Sequence, residues 1–495
     1  MSRPNRTFQI GLVHLNTAAD VPLYQQLYDA LRIAILDGRL ARHTRLPSSR
    51  DLADLLDVSR TTVMNAYDQL IAEGYLEPRR GSGTYVSAHL PADLLQARRV
   101  AQARPPDARG ERPIAKRAAT ITDLPHGTVR MGRALPFRYG AADMTRFPVE
   151  VWARLTAIRQ RYPQRDHFTY HAGSAGYAPL RAAIAAYLAS SRGVVCHPDH
   201  IIITSGAQQG IFLAAHILLD PGDRVILEEP GYNGAQRAFA MAGAKLVPTP
   251  LDAEGLAIHQ GAAQAPDARV AFVTPSRHYP LGIMMSLKRR LQLLDWAASQ
   301  DGWIIEDDYD SEFRYAGRPI PALQGLDTSA RVIYIGTFSK VLFPTIRLGY
   351  VVVPEDLVGT FVHLRGALDT NTHTLSQVVL ADFIQEGHFT RHIRRMRKLY
   401  TERSHYFARR FAELIGWSLG PHDAGLSLVA WPPHPIDDLN IARRAHDHGV
   451  VVAPVSAYYA THPSQPGLLL GYAGFDETTT EQGLVALRAA LADEE

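Results

Sequence analysis

From about Leu135 onward, short apolar runs rich in β-branched residues alternate with longer helical segments. The predicted strands are HIIITSG, DRVILEE, RVAFVTP, GWIIEDD, RVIYIGT and LGYVVV, and helices such as APLRAAIAAYLASS and LKRRLQLLDWAASQ lie between them. Parallel strands need crossover helices of this kind, and those helices cover both faces of the sheet. The alternation therefore predicts an α/β fold with a mostly parallel sheet and sites at the carboxyl ends of its strands. After Thr360 the pattern predicts a smaller subdomain of helices and a few strands.

The first ninety residues carry a different and shorter pattern. A helix is predicted over PLYQQLYDALRIAILDGRL (22–40), where apolar residues recur every four positions. Ser48 is predicted to cap a second helix, and Ser59 a third that ends at Gly74. Two strand-like runs then flank the flexible tip at 81–83. Three helices and a β-wing predict a winged helix-turn-helix, whose third helix enters the major groove of DNA.

Charge alone does not decide what this N-terminal part binds. Residues 1–90 hold ten basic and nine acidic side chains, which would also suit a winged helix that contacts protein. However, LPSSRDLADLLDVSRTTVMNAYDQL and the GSGTYV wing closely resemble the DNA-binding domain of GntR-type bacterial regulators over residues 20–87. The resemblance implies that the partner is double-stranded promoter DNA. The implied DNA contacts are Arg50, Ser59, Arg60, Thr61, Thr62, Asn65, Gly81, Ser82 and Gly83.

Four motifs in the larger part follow predicted strands and carry reactive or polar groups. They are TSGAQQG, EEPGY, WIIEDDYDSEF and GTFSKVLFPTIRLGY. Strand periodicity places Asp307 and Tyr309 on one face and Asp308 on the other. Pyridoxal 5′-phosphate would use all four motifs. Its aldehyde needs a lysine amine, its ring nitrogen a carboxylate, its ring an aromatic face, and its phosphate an arginine with hydroxyl and backbone donors.

These motifs, in this order, resemble the fold type I aminotransferases over roughly residues 135–490. EDDYDSEFRY and GTFSK followed by RLGY resemble in particular the aminotransferase-like half of MocR/GabR regulators, a GntR subgroup. The resemblance implies that Lys340 forms the internal aldimine, Asp307 pairs with the pyridine nitrogen, Tyr309 contacts the phenolic oxygen, and Tyr232 stacks on the ring. It implies phosphate contacts from Gly206, Ala207, Gln208, Thr337, Ser339 and Arg347.

Two departures from the aminotransferase pattern bear on turnover. Tyr279 stands before Pro280, where aminotransferases commonly have asparagine, and GLLLGYAGFDE (467–477) lacks their carboxylate-binding arginine. Arg138 and Arg277 are the candidates to replace that arginine. The main hypothesis is therefore a regulator that senses pyridoxal phosphate, or an amine or amino-acid effector, through an aldimine at Lys340. Two alternatives remain: an active aminotransferase with a fused DNA-binding domain, and the same fold without the cofactor.

The resulting expectation is a DNA-binding domain at 1–88, a basic linker at 89–124 and an aminotransferase-like domain at 125–495. Residues 91–120 hold seven basic and three acidic side chains, which suits a solvated tether or a segment near phosphate. A single cysteine, Cys196, excludes an intramolecular disulfide and a thiolate zinc cluster, and no metal site is expected. No segment predicts a signal peptide or a membrane span, so the expected location is the cytoplasm, at the nucleoid when DNA is bound. The family resemblance also implies a domain-swapped homodimer.

Overall fold

The computed structural model of the chain describes residues 13–17, 19–79, 81–90, 115, 135–140, 142–162, 173–315, 321–461 and 463–492. The chain forms two compact units, Met1–Pro113 and Ile114–Glu495. Apart from 89, 90 and 115, the predicted linker at 89–124 lies outside the described residues. No helix in the described ranges has both the length and the apolar character that crossing a membrane would require.

The first unit contains three helices followed by a two-stranded antiparallel hairpin. Ser48 and Ser59 cap the second and third helices, because their hydroxyls accept from the amides of Asp51 and Thr62 at 3.2 and 3.1 Å. Both predicted caps are therefore confirmed. The elements are α1 Leu23–Leu36, α2 Ser49–Leu56, α3 Arg60–Ala72, β1 Leu76–Arg79 and β2 Gly83–Val86.

The first helix ends four residues before the predicted end at Leu40. Gly38 takes a left-handed φ of +75°, and the Leu40 amide then donates back to the Ala34 carbonyl at 2.8 Å. This turn is a common way to close a helix, and glycine makes it at no steric cost. The turn carries Leu40 into the core that Leu31 and Leu70 also occupy.

The second unit is built on an eight-stranded sheet with helices packed against it. Most of the predicted strands and helices are found within one or two residues of their expected bounds. The helices are α4 Val149–Arg161, α5 Ala178–Arg192, α6 Ala207–Leu218, α7 Asn233–Met241, α8 Ile258–Gln264, α9 Leu287–Ser299, α10 Val358–Asp369, α11 Thr374–Gln385, α12 His388–Leu414, α13 Asp438–Asp447 and α14 Glu477–Ala492. The strands of the large sheet are β3 Ile201–Thr204, β4 Arg224–Glu229, β5 Lys245–Asp252, β6 Gly255–Leu256, β7 Ala268–Val273, β8 Trp303–Asp308, β9 Val332–Thr337 and β10 Gly349–Val352.

The large sheet has the order β3-β10-β9-β8-β7-β4-β5-β6. Strands β5, β4, β7, β8 and β9 run parallel, whereas β10 is antiparallel to both of its neighbours. The prediction of a mostly parallel sheet is confirmed. Strand β5 was not predicted, because Pro248 and Pro250 interrupt its apolar pattern. Such prolines are tolerated near a sheet edge, where fewer ladder hydrogen bonds are needed.

The C-terminal subdomain contains helices and a four-stranded antiparallel sheet. This confirms the prediction of a smaller subdomain with helices and a few strands after Thr360, which did not specify the strand number or direction. Its strands are β11 Ser418–Leu419, β12 Ser427–Trp431, β13 Ala453–Pro454 and β14 Leu468–Gly471, in the order β11-β12-β14-β13. Strand β14 is buried along its whole length. The carboxyl ends of β4, β7, β8 and β9 meet at one edge of the large sheet, which is where parallel sheets form their binding sites.

Candidate functional site

A cavity of about 550 Å³ lies at the carboxyl edge of the large sheet. All ten residues that the sequence assigned to a cofactor site line it, which brings together side chains more than 130 positions apart. These ten are Gly206, Ala207, Gln208, Tyr232, Asp307, Tyr309, Thr337, Ser339, Lys340 and Arg347. We call this the cofactor cavity.

Lys340 is half-buried just after β9, and it lines the cofactor cavity. Its Nζ lies 4.8 Å from the centre of the Tyr139 ring, and a Cβ built on Gly140 would come within 2.5 Å of the same atom. Burial lowers the pKa of the Lys340 ammonium below its ordinary value, although Tyr232 and Asp310 act in the opposite direction. Such a lysine loses its proton more readily, which a nucleophilic amine requires.

Asp307 provides a buried carboxylate at the end of β8. Burial, followed by repulsion from Asp308 and Asp310, raises the pKa of Asp307 to about 7. Its Oδ1 has no hydrogen-bond partner among the described residues. A cationic N–H donor at this position would satisfy the orphaned oxygen and lower that pKa, and a protonated pyridine nitrogen is such a donor.

The Asp308 side chain lies on the opposite face of β8 from Asp307, as strand periodicity predicted. Its carboxylate accepts from Arg192 Nε at 2.8 Å and from the Tyr334 hydroxyl at 2.6 Å, behind the cavity wall. The ion pair fixes this strand, so that Asp307 and Tyr309 face the cavity together.

The opposite end of the cavity is suited to an anion. Gly206 precedes α6 with a φ of +100°, and no side chain caps this helix, so its first amides are available to a ligand. The Arg347 guanidinium carbon lies 3.7 Å from where a Cβ on Gly206 would stand. Ser339 contributes a buried hydroxyl without a partner in the described part of the chain. Arg347 itself has a φ of +49°, a strained conformation for a residue with a side chain and one that occurs often at functional sites.

Tyr232 forms one wall between these two ends. Its hydroxyl donates to Gln208 Oε1 at 3.1 Å, and Gln208 Nε2 donates to the Gly234 carbonyl at 2.8 Å. These bonds fix the orientation of the Tyr232 ring. A ring that stacks on a ligand must be held in this way. The cavity therefore offers an amine, a carboxylate, an aromatic face and an anion site in one space. This donor set fits pyridoxal phosphate.

The two arginines that were candidates to replace the missing carboxylate-binding arginine, Arg138 and Arg277, have different positions in the structure. Arg138 lines the cofactor cavity, whereas Arg277 is buried outside it. Arg277 Nε donates to the Ala424 carbonyl at 3.1 Å, and Nη1 donates to the Tyr309 hydroxyl at 3.4 Å. Arg277 therefore orients Tyr309 from behind.

Several cavity residues were not predicted. Tyr139, Gly140, Ala142, Met144, Thr274 and Pro344 line the cavity, as does Tyr279. Most of these belong to the segment before α4, whose sequence has no strand or glycine-loop signal. Tyr279 packs against Tyr139 and Tyr458, with ring centres 5.0 and 5.2 Å away. Leu469 of β14 belongs to the same apolar cluster, so the segment that lacks the arginine presents aliphatic surface there.

The predicted DNA contacts lie on α2, α3 and the wing. Arg50, Ser59, Arg60, Thr61, Asn65, Gly81, Ser82 and Gly83 are exposed, and Thr62 is half-buried. The hydroxyls of Ser59 and Thr62 lie 2.9 Å apart and form part of the α3 cap. Arg45 is not among the predicted contacts. Its Nε lies 3.0 Å from a Cβ built on Gly83, which places an exposed guanidinium against the wing.

Comparison with known proteins gives a match for each unit. Residues 23–86 match the family model described as bacterial regulatory proteins, gntR family, and residues 145–487 match aminotransferase class I and II. The chain is 44% identical to the probable rhizopine catabolism regulatory protein MocR of Rhizobium meliloti, over 96% of this chain and 95% of that protein. It is 31% identical to the pyridoxine biosynthesis transcriptional regulator PdxR of Corynebacterium glutamicum, over 97% and 98% of the two chains.

Among solved structures, the α-aminoadipate aminotransferase LysN of Thermus thermophilus superposes with a TM-score of 0.70 at 27% identity. The match covers 77% of this chain and 97% of that one. The second unit therefore has the fold type I aminotransferase fold. Together with the winged helix and the matches along almost the whole chain, this shows that the protein belongs to the MocR-type subgroup of the gntR family of bacterial transcriptional regulators.

Proposed function

We propose that the protein is a transcriptional regulator that binds pyridoxal phosphate in the cofactor cavity and promoter DNA through its winged helix. The observation that carries this proposal is the cofactor cavity, in which the half-buried Lys340, the buried carboxylate of Asp307 and an anion site meet. The chain that builds this cavity begins with a DNA-binding fold. A change in what occupies the cavity would shift the population of the DNA-binding state.

Pyridoxal phosphate supplies an aldehyde that reacts reversibly with primary amines, on a ring that withdraws electrons. Lys340 would hold the aldehyde, and its lowered pKa keeps more of the amine in the reactive, neutral form. Asp307 would hold the proton on the ring nitrogen, Tyr309 would bind the phenolic oxygen, and Tyr232 would cover one ring face. The phosphate would be bound by Gly206, Ala207, Gln208, Thr337, Ser339 and Arg347.

On the DNA side, the exposed N-terminal end of α3 would enter the major groove, with the 81–83 tip of the wing near the backbone. Arg50, Arg60 and Asn65 would supply the charged and amide contacts. A homodimer would present two such heads to paired half-sites, because two-fold protein symmetry matches palindromic operators.

The names of the relatives support a small-molecule signal. PdxR is named for pyridoxine biosynthesis, which favours the cofactor itself as the signal, and MocR is named for rhizopine catabolism, which favours a further effector. Titration of a bound promoter fragment with pyridoxal phosphate, with and without a panel of amines, separates these cases. If neither addition changes DNA affinity, the sensing function is wrong.

An active aminotransferase is the second candidate, favoured by the complete set of Lys340, Asp307 and Tyr309 in one cavity. Incubation of the yellow protein with amino acids tests it. Repeated production of keto acid would support enzymatic turnover. An absorbance change without product would support the regulator.

Arg60→Ala should weaken promoter binding and leave cofactor absorbance unchanged. Arg60 is exposed at the start of α3, where it can reach a base edge or a phosphate. Loss of a base contact costs about 1–3 kcal/mol, whereas loss of a phosphate contact reduces the salt dependence of binding. Fluorescence anisotropy at several salt concentrations measures both. Arg39→Ala, at an exposed arginine after α1, is the matched control. Equal DNA affinity of both variants and wild type would contradict the role of Arg60.

A further inference from the structure

Helix α12 concentrates positive charge in a part of the chain that is otherwise balanced. Its 27 residues hold eight arginines and lysines against two glutamates. Residues 121–495 together hold 35 basic and 37 acidic side chains, so the excess belongs to this helix and not to its surroundings. Arg391, Arg394, Arg395 and Lys398 are exposed, and we call these four residues the basic stripe.

The basic stripe follows one side of α12. Arg391 and Arg395 are four residues apart, as are Arg394 and Lys398, which is the spacing of neighbours on one helix face. The other side is apolar and is buried in the largest hydrophobic cluster of the described residues, through Phe389, Ile393, Met396 and Tyr400. The stripe covers seven residue steps, or about 10 Å along the helix axis.

Two of the four side chains are held by the backbone. Arg391 Nη2 donates to the Glu386 carbonyl at 2.8 Å, and Arg395 Nη2 donates to the Arg146 carbonyl at 2.5 Å. A guanidinium has five N–H donors, so most of them stay available after such a bond. These contacts reduce the freedom of the two side chains, which lowers the entropy lost when an anion binds.

No acidic side chain in the described part of the chain pairs with the basic stripe. The ion pairs of α12 there join His388 to Glu386, Arg403 to Asp143, and Arg410 to Glu413 and Glu481. The stripe therefore presents four cations on one surface without a neutralising partner among these residues.

This arrangement does not favour the helix itself. Like charges four residues apart repel each other, and the stripe contains two such pairs. The first turn of α12 has no acidic residue and its last turn no basic residue, although the helix dipole favours both. An anion bound along the stripe would relieve the repulsion, so the pattern is better suited to a ligand than to helix stability.

The DNA backbone is the anion that fits these observations best. Residues 1–90 hold ten basic and nine acidic side chains, so the winged-helix part brings little net charge to the phosphates. A length of about 10 Å matches about three base pairs, which gives the stripe two or more phosphates of one strand. A membrane surface instead selects helices with an exposed apolar face, and the apolar face of α12 is buried.

We propose that the basic stripe binds the phosphate backbone of promoter DNA, outside the bases that the winged helix reads. Phosphates carry no direct sequence information, so the stripe adds affinity and salt dependence and leaves base discrimination to the first unit. This inference rests on the proposed function, since the protein must bind DNA.

The test measures DNA affinity of the full chain at several salt concentrations, on a promoter fragment and on a scrambled fragment of equal length. The stripe variant carries Arg394→Gln with Lys398→Gln, and a charge-reversed variant carries glutamate at both positions. Lys245→Gln with Lys288→Gln is the matched control, because it removes two exposed cations from β5 and α9. The Tm of each protein checks that the variants are folded.

Loss of one phosphate contact lowers the slope of log affinity against log salt by about 0.9. The stripe variant should therefore lose about 1 to 2 in slope and bind about tenfold more weakly at low salt, equally on both fragments. The charge-reversed variant should bind more weakly still, and the lysine control should match wild type.

Three results would overturn the stripe alone. They are a wild-type slope in the stripe variant, an equal loss in the lysine control, and a loss confined to the promoter sequence. Unchanged DNA affinity with altered transcription would also overturn it, because the cations would then bind a protein. A wild-type protein that binds neither fragment would contradict the proposed function and this inference together.

Discussion

Lys340→Ala is expected to abolish the visible absorbance that wild type acquires with pyridoxal phosphate. Lys340 is half-buried and lines the cofactor cavity, and its Nζ lies 4.8 Å from the centre of the Tyr139 ring. The phosphate contacts around Arg347 would remain, so the cofactor could still bind, but without covalent attachment. We expect complete loss of the yellow band, retained but weaker cofactor binding, and loss of the effect of amines on DNA affinity. Absorbance spectroscopy and promoter titration measure these outcomes.

Lys398→Ala is the control for that experiment. Lys398 is an exposed lysine of α12, so its removal should leave the absorbance unchanged. Promoter binding by Lys340→Ala should persist, because the winged helix is a separate compact unit. A yellow Lys340→Ala protein would contradict the assignment of Lys340 and, with it, the chemistry of the cofactor cavity.

Much of the second unit could be predicted because its strands are buried on both faces and therefore read as continuous apolar runs. The exceptions have physical causes. Strand β5 contains prolines that hide its pattern, and β10 was expected as a strand although its antiparallel direction leaves no mark in the sequence. In the first unit, α1 ends early because of the left-handed turn at Gly38. The spacing of apolar residues does not indicate such a turn.

The site was predictable where its residues follow strands. Gly206, Asp307 and Lys340 each follow or end a strand with a strong apolar signal, so topology alone brings them to one edge. Tyr139 and Gly140 lie outside any regular element, and only tertiary packing places them beside Lys340.

Arg192→Met should cause a large loss of stability, although Arg192 lies outside the cofactor cavity. Arg192 is 6% exposed, and it donates to both oxygens of Asp308, at 2.8 and 3.2 Å, and to Ser276 at 2.6 Å. Burial pushes the pKa of Asp308 upward, but Arg192 holds it below its ordinary value. Without the arginine, the carboxylate is buried without its counter-ion. Removal of one partner from such a pair costs about 3–5 kcal/mol in the free energy of unfolding.

The pH dependence identifies the cause of this loss. In wild type, the lowered pKa of Asp308 contributes stability above its unfolded pKa of about 4, and the contribution disappears as pH falls through the folded value. In Arg192→Met, the folded pKa should instead be raised, so protonation at acid pH relieves the destabilisation. Urea unfolding of the cofactor-free protein should therefore show a difference from wild type that is large at neutral pH and smaller near pH 4. The exposed pair of Arg224 with Asp267 is the control, and Arg224→Met should cost at most about 1 kcal/mol at either pH. A difference for Arg192→Met that does not change with pH would assign the loss to packing instead of to the buried charge.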